Sequence, residues 1–204
     1  MIIDLENLVS KYDLKINGIL HIGAHYGGEI ETYEKLGISN LIFFEPSPET
    51  FKILQERVGT RAILKNIALG NTIGEIEMNV ETANLGASNS ILKPKLHLAQ
   101  YPYITFDKKI KVGIDKLDSF LNVKDKFNFI NIDVQGYELE VFKGGNEYLN
   151  HIDYIMTEVN RDELYENCVQ IEELDNYLGT YGFERVETSW WDGGNWGDAF
   201  YIKK

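Results

Sequence analysis

A single cysteine, Cys168, stands among 204 residues. One thiol excludes an intrachain disulfide framework and a cysteine zinc cluster, so its expected role is that of a small apolar filler. Long hydrophobic runs are also missing, and no segment approaches the ~20 apolar residues of a membrane span. The opening Met-Ile-Ile-Asp-Leu-Glu-Asn-Leu has no basic stretch followed by an apolar core, so no secretory leader is expected. Positive charge is scarce: 20 Lys and Arg stand against 32 Asp and Glu, a net charge of −12. Such a surface repels phosphate backbones and argues against a broad nucleic-acid-binding face. Repeats, linkers and low-complexity segments are absent as well. What these absences leave is a cytoplasmic protein, or a domain cut from a larger chain, large enough for one sizeable α/β domain.

Strand and helix signals alternate along most of the chain, which predicts a parallel sheet with helices on both faces. A strand over Gly18–Ile22 runs into a glycine-bearing turn, then a helix, then a second strand ending at Glu45. Ser47-Pro48-Glu49 is a helix start with a capping hydroxyl, proline at the first helical position and an acid in the first turn. That helix should reach about Val58. A third strand is expected over Ala62–Ala68, an added half-exposed strand over Glu75–Val80, and a buried strand over Phe127–Asp133. Residues 82–108 break the rhythm and are expected to form a lid or acceptor loop. Glu138–Phe142 begins a helix closed by Gly144-Gly145, and Tyr154–Val159 is the next strand. A helix over Ile171–Tyr181 precedes two final strands, Phe183–Thr188 and Ala199–Ile202, which flank a Trp/Gly-rich hairpin. A hairpin forces at least one antiparallel strand into the sheet.

The first strand-turn-helix-strand unit specifies a ligand. Gly23 and Gly27 allow a tight turn and close approach. The helix that follows presents free N–H groups, and Glu45 at the next strand tip can accept hydrogen bonds from both ribose hydroxyls. A dinucleotide site uses the spacing Gly-x-Gly-x-x-Gly. Here the spacing is Gly23-x-x-x-Gly27-Gly28, and His25 occupies the place of the second glycine. An imidazole crowds a pyrophosphate but can hydrogen-bond a smaller carboxylate. The residues therefore favour S-adenosylmethionine (SAM), whose methionine tail ends in a carboxylate and an amine, over a nicotinamide dinucleotide.

The run Asn131-Ile132-Asp133-Val134-Gln135-Gly136-Tyr137-Glu138 through Gly144-Gly145 resembles a signature of the FkbM family of SAM-dependent O-methyltransferases. The resemblance extends to His21–Gly27, Phe44-Glu45-Pro46, Asn66–Gly70 and Ser88–Leu92 with Lys93–His97 after it, nearly the whole chain in order. It implies a Rossmann-like class I methyltransferase fold: a mostly parallel seven-stranded sheet, helices on both faces and an antiparallel C-terminal hairpin. It also implies transfer of a methyl group to a hydroxyl of a sugar, glycan or glycosylated natural product. By position, Gly23, His25 and Gly27 bracket the methionine part, Glu45 holds the ribose, Ile67 and Ala68 lie against adenine, and Ser88 belongs to the cofactor side. Asp133 sits near the transferring methyl. Two positions depart from the family pattern, which often has Asp at His21 and Glu at Gln135.

A sugar hydroxyl needs its proton removed as it attacks, so a base is sought. Asp133 is the first candidate and His97 the second. Glu158 and Asn160, at the neighbouring strand end, together with Tyr101, Trp190 and Trp191, are candidates for the acceptor side; Tyr103 and Trp196 are further aromatic candidates. Flat rings stack on the apolar face of a sugar. Asp133, Glu158 and Asn160 could also hold Mg²⁺, but a hydrogen-bonded polar rim is the favoured reading and no metal is expected. The competing readings are a non-catalytic nucleoside-binding module and a nicotinamide-dependent dehydrogenase, the latter disfavoured by His25 and by the lack of a Tyr-x-x-x-Lys relay.

Overall fold

The structure, a computed structural model, describes residues 2–204, without the side chains at positions 121 and 123–125. The main sheet contains β1 (Ile19–Ile22), β2 (Leu41–Phe44), β3 (Ile63–Lys65), β7 (Phe129–Ile132), β8 (Tyr154–Asn160), β9 (Phe183–Trp190) and β10 (Trp196–Lys203). Their spatial order is β3-β2-β1-β7-β8-β10-β9. The first five are mutually parallel, and β10 runs antiparallel between β8 and β9. This is the mostly parallel seven-stranded sheet with a terminal hairpin that the sequence implies. The order reverses beside β1, so the crevice above the β1 and β7 tips is the natural place for a ligand.

Successive side chains of a strand point to opposite faces of the sheet. Every residue of β1, β2 and β7 is buried, as expected for a parallel sheet covered on both sides. One face carries Ile19, Phe43, Phe129 and Met156, and is covered by α1 (Leu5–Tyr12), α2 (Ile30–Lys35) and α3 (Pro48–Val58). The other carries Leu20, Phe44, Ile130 and Ile155, and is covered by α5 (Glu138–Lys143) and α6 (Ile171–Gly179). α3 starts as its sequence demands: Ser47 is the N-cap and its hydroxyl accepts from the Thr50 N–H at 3.4 Å.

Two sequence expectations are revised. The third strand is split: Ile63–Lys65 joins the main sheet, whereas Ala68–Leu69 (β4) leaves it. β4 pairs with β6 (Lys108–Asp115), which pairs in turn with β5 (Gly74–Val80), so the half-exposed strand belongs to a separate three-stranded sheet. Met78, Val80, Val112 and Ile114 give this small sheet its own apolar cluster. Residues 82–108 contain turns and the one-turn helix α4 (Leu96–Gln100), and are tied down by bridges Asn79↔Ser90 and Pro94↔Tyr165. α1, whose apolar positions Leu5 and Leu8 are buried, is an element that the strand and helix signals above do not include.

Candidate active site

β1 delivers the chain to Gly23, whose N–H and that of Ala24 both donate to the Phe44 carbonyl at 2.9 Å. Gly23 has φ +77°, and a Cβ there would lie 1.9 Å from the Asp133 carbonyl oxygen. Only glycine lets the β1 and β7 tips approach this closely. His25 follows with φ +48°, a left-handed conformation uncommon for a side-chain-bearing residue. That turn aims the His25 N–H at Glu45 Oε2, 3.0 Å away, while the Ser47 N–H donates to Oε1 at 2.8 Å. Glu45 is thus gripped by the loop after each of two neighbouring strands. Each of its oxygens keeps a second lone pair for a ligand.

These groups border a cavity of about 330 Å³ at the carboxyl ends of β1, β2 and β7. Ile67, Ala68, Leu69 and Met78 give it an apolar lining, and His21, Glu29 and Asp133 line it as well. The Leu85 carbonyl closes over the turn, accepting from the Tyr26 hydroxyl and facing His25 Nε2, both at 2.9 Å. A carbonyl can only accept, so Nε2 carries the His25 proton. His21 is buried with Nδ1 3.2 Å from the Tyr33 hydroxyl, and desolvation pushes its pKa below the usual imidazole value despite nearby Glu29.

A second cavity, of about 430 Å³, adjoins the first, and Asp133, Gln135 and Ala87 line both. Its wall holds Ser88, His97, Tyr101, Tyr103, Glu158, Trp191 and Trp196. Trp191 stacks on Trp196 with ring centroids 5.3 Å apart and planes 10° from parallel, and Trp196 Nε1 donates to the Tyr101 hydroxyl at 2.8 Å. His97 is buried against Tyr101, Phe106 and Tyr165, with Nε2 3.2 Å from Ser88 Oγ. Burial lowers its pKa, opposed by the charge of Glu81, so the imidazole is neutral at neutral pH.

Between and below the cavities lies an acidic cluster. Gln135 Nε2 donates to Asp133 Oδ1 at 2.8 Å and to Glu158 Oε2 at 3.0 Å. Glu138 accepts from the Val134 and Gly136 N–H groups at 3.0 and 3.2 Å. Asp198, opposite Glu158 across the β8–β10 ladder, accepts from the Ile3 N–H at 2.8 Å and from that of Ile2. Desolvation raises these carboxyls: Glu138 to about 7, Asp198 to about 6, and Glu158 well above the ordinary value, helped by the charges of Asp133, Glu138 and Asp198. Glu45 is likewise pushed up to about 7 by burial, against the pull of its two N–H donors.

The sign of the resulting pH dependence follows directly. A carboxyl whose folded pKa is raised binds more protons in the native state, so stability falls as pH rises from the unfolded value through the folded one. The melting temperature is therefore expected to be higher near pH 5.5 than at pH 8, and a thermal unfolding series across that range checks it. A melting temperature that rises across the same range would contradict these assignments.

The structure brings together Gly23, His25, Glu45, Ile67, Ala68 and Asp133 around the first cavity, and Ser88, His97, Tyr101, Asp133, Glu158 and Trp191 around the second. Four positions depart from expectation. Gly27 does not line the first cavity; with φ +68°, a Cβ there would meet Leu54 and Val58 at 2.7 and 2.8 Å, so it serves the packing of α3. Ser88 lines the second cavity and not the first. Trp190 packs against the main core and under Arg161, at 4.8 Å, and Trp196 takes its place in the wall. Asn160 is fully buried off both cavities, and neither of its amide atoms has a hydrogen-bond partner among the described residues. The six-residue α2 begins at Ile30 with Glu29 at its cap, so the turn at Gly23–His25, not the helix end, supplies the N–H groups nearest Glu45. Glu29, Glu138 and Tyr165 do not stand out in the sequence as site residues. The acid-rich run after Asp133 is the available signal for Glu138; Tyr165 carries none.

The fold and this site define a Rossmann-like, SAM-dependent methyltransferase. A sequence model described as the methyltransferase FkbM domain matches residues 21–185. The chain belongs to the FkbM methyltransferase family. It is 30% identical over 173 residues to the 2-O-methyltransferase NoeI of Sinorhizobium fredii, covering 80% of this chain and 71% of that protein. Among solved structures it is similar to magnesium protoporphyrin IX methyltransferase (ChlM) of Synechocystis PCC 6803 with bound SAM. That match has a TM-score of 0.54 and 10% identity, over 97% of this chain and 74% of that one. It is similar also to the ribosomal protein L11 methylase of Lactobacillus delbrueckii subsp. bulgaricus, with a TM-score of 0.51 and 13% identity over 96% of this chain and 74% of that one. At these identities the solved structures speak for the fold. Among the described residues no helix is long and apolar enough to cross a membrane.

Proposed function

We propose that this methyltransferase acts on a hydroxyl of a sugar, a glycan or a glycosylated natural product in the cytoplasm. The observation that carries this reading is the second cavity: an aromatic wall of Tyr101, Trp191 and Trp196 faces the carboxyls of Asp133 and Glu158, and Asp133 also lines the first cavity. Rings cover the apolar face of a sugar while carboxyls take its hydroxyls. The O-methyl specificity of the relative NoeI supports a hydroxyl acceptor.

The first cavity suits SAM. Its apolar lining fits adenine, the free lone pairs of Glu45 fit the ribose hydroxyls, and the turn at Gly23–His25 fits the amino-acid part, with Glu29 available to the ammonium. SAM supplies a methyl on a sulfonium sulfur, so the new O–C bond forms as the S–C bond breaks. The protein positions the acceptor and excludes water. Asp133, at the junction, takes the hydroxyl proton. His97, neutral and turned toward Ser88, orders the acceptor wall.

We infer that the reaction needs no metal. Carboxylate oxygens of Asp133, Glu138 and Glu158 approach within 4.8 Å of one another, a spacing that could hold a cation. The Gln135 amide already donates to two of the three, and Glu138 is held by backbone N–H groups. Activity is expected to survive a chelator. Full loss in EDTA with recovery in Mg²⁺ would refute the inference.

The direct test is a methylation screen across neutral sugars and simple glycosides with mass detection. One glycoside gaining a methylene mass is the expected result. SAM binding without any methylated glycoside, alongside methylation of a non-sugar hydroxyl, overturns the acceptor class. Within that screen, Trp191→Ala should raise the acceptor KM while leaving the affinity for the product S-adenosylhomocysteine (SAH) unchanged; an unchanged KM would reduce Trp191 to packing.

A further inference from the structure

Gln135 is held more completely than a loop residue needs to be. It follows β7 by three residues and has φ +56°, and Gly136 after it has φ +94°. Glycine takes a positive φ at no steric cost, but for a side-chain-bearing residue such as Gln135 it is costly unless the surroundings impose it, and such strain gathers at functional sites. Here the surroundings do impose it. The Gln135 backbone carbonyl accepts from Ser90 Oγ at 2.8 Å. Its side-chain Oε1 accepts from the Tyr165 hydroxyl at 2.7 Å. Its Nε2 hydrogens go one to Asp133 and one to Glu158.

Tyr165 is fully buried, and desolvation and the neighbouring carboxyls keep its hydroxyl protonated. That hydroxyl has two acceptors within reach, Gln135 Oε1 at 2.7 Å and the Ser88 carbonyl at 3.2 Å. With the proton on the shorter bond, to Oε1, the NH₂ group is left toward the two acids. Without that donor, the amide could turn and present an oxygen to two carboxyls.

We propose that Gln135 is a positioning residue for the methyl transfer: its amide bridges Asp133 and Glu158, so each acid has its own donor and the two stand side by side at the meeting of the cavities, with Asp133 free to act there. The proposal rests on the reading of Asp133 as the base. Two bare carboxyls at this separation would share one proton between them, and the base would be half spent. The amide gives each acid its own donor and removes the reason to share. The other titratable groups around the pair are Glu138 on α5, Asp198 on β10, Tyr165 itself, Cys168, whose Cβ lies against Gly136, His21 on the first cavity and His97 on the second. Burial lowers the pKa of both imidazoles, and Tyr33 and Ser88 hold them in place, so neither supplies the amide's two donors.

The charge beside the sulfonium can be read without an acceptor. SAM and SAH share every group that Glu45 and the glycine turn would contact, and they differ in the cationic sulfur and its methyl. The ratio Kd(SAH)/Kd(SAM) therefore cancels the titration of Glu45 and reports charge near Asp133. Calorimetry with both ligands between pH 6 and 8 is the experiment, on the wild-type chain, Gln135→Glu and Tyr165→Phe. In the wild type the ratio should climb no more than about threefold across this range, as Glu138, which burial lifts to about 7, ionises. It should climb about tenfold in Gln135→Glu as the added carboxyl gives up its proton. Tyr165→Phe, which removes one hydroxyl and spares the fold if Gln135→Glu does not, should lower the preference for SAM about threefold at pH 7. Equal losses for both ligands, with the ratio unmoved in both variants, would leave Gln135 a packing residue and overturn the proposal. A wild-type chain that binds neither ligand would refute the donor assignment beneath it.

Discussion

Asp133→Asn is expected to lower turnover by about 10²–10⁴-fold, the span that a positioned general base contributes, with SAH affinity within about threefold of wild type. The substitution is nearly isosteric. Asn keeps a carbonyl oxygen to accept from Gln135 Nε2, which lies 2.8 Å from Asp133 Oδ1, so the amide bridge survives. What disappears is the negative charge at the one acidic side chain that lines both cavities. His97 is the alternative base, and its placement argues against it: Nε2 faces Ser88 Oγ, and Nδ1 lacks a hydrogen-bond partner among the described residues. Single-turnover rates with the glycoside found in the screen decide the matter. Should Asp133→Asn retain turnover within tenfold while His97→Gln loses it, the two roles are reversed.

Glu45→Ala should weaken SAM and SAH alike, by about 1.5–3 kcal/mol for each charged hydrogen bond to a ribose hydroxyl that is lost. This corresponds to roughly 10- to 150-fold in Kd per bond. The effect on the ligand is direct, but a second cost falls on the protein, because the His25 and Ser47 N–H groups lose their acceptor. Glu45→Gln separates the two. Its amide oxygen can still take one N–H, and its binding defect should be smaller than that of the alanine variant. Because burial lifts the Glu45 carboxyl to about 7, ligand hydroxyls that donate to the ionised form should bind more tightly as pH rises from 6 to 8. An unchanged dissociation constant in Glu45→Ala would contradict the ribose assignment.

The first cavity is legible in the sequence because its residues are local. Gly23, His25 and Glu45 lie within two strands and one turn, and each has a conformation or a strand-end position that its residue type announces. The second cavity is less legible because distant segments build it. His97 stands in a stretch whose lack of periodic pattern gives no sign of burial, yet it is buried: Phe106, from later in the same stretch, and Tyr165, from beyond β8, cover it. The Trp-rich hairpin is recognisable as a hairpin, but which indole faces the cavity depends on strand register: Trp196 pairs with Asn160 and faces inward, whereas Trp190 turns to the core. The small second sheet leaves little trace in the sequence because β4 is only two residues long and its partner β6 follows a long irregular stretch. Gln135 is visible only as a departure from the family pattern. Its hydrogen-bonding partners come from separate segments, which no spacing rule connects.

The two chambers share Ala87, Asp133 and Gln135 in their walls. For inhibitor design this shared border is an opening. A bisubstrate compound, an adenosyl group joined to a glycoside through a short linker crossing above Asp133, would engage both chambers at once. Its second half would bind at the high effective concentration that a tether provides. Selectivity against other SAM-dependent enzymes would then come from the indole-lined side, where their shapes need not agree.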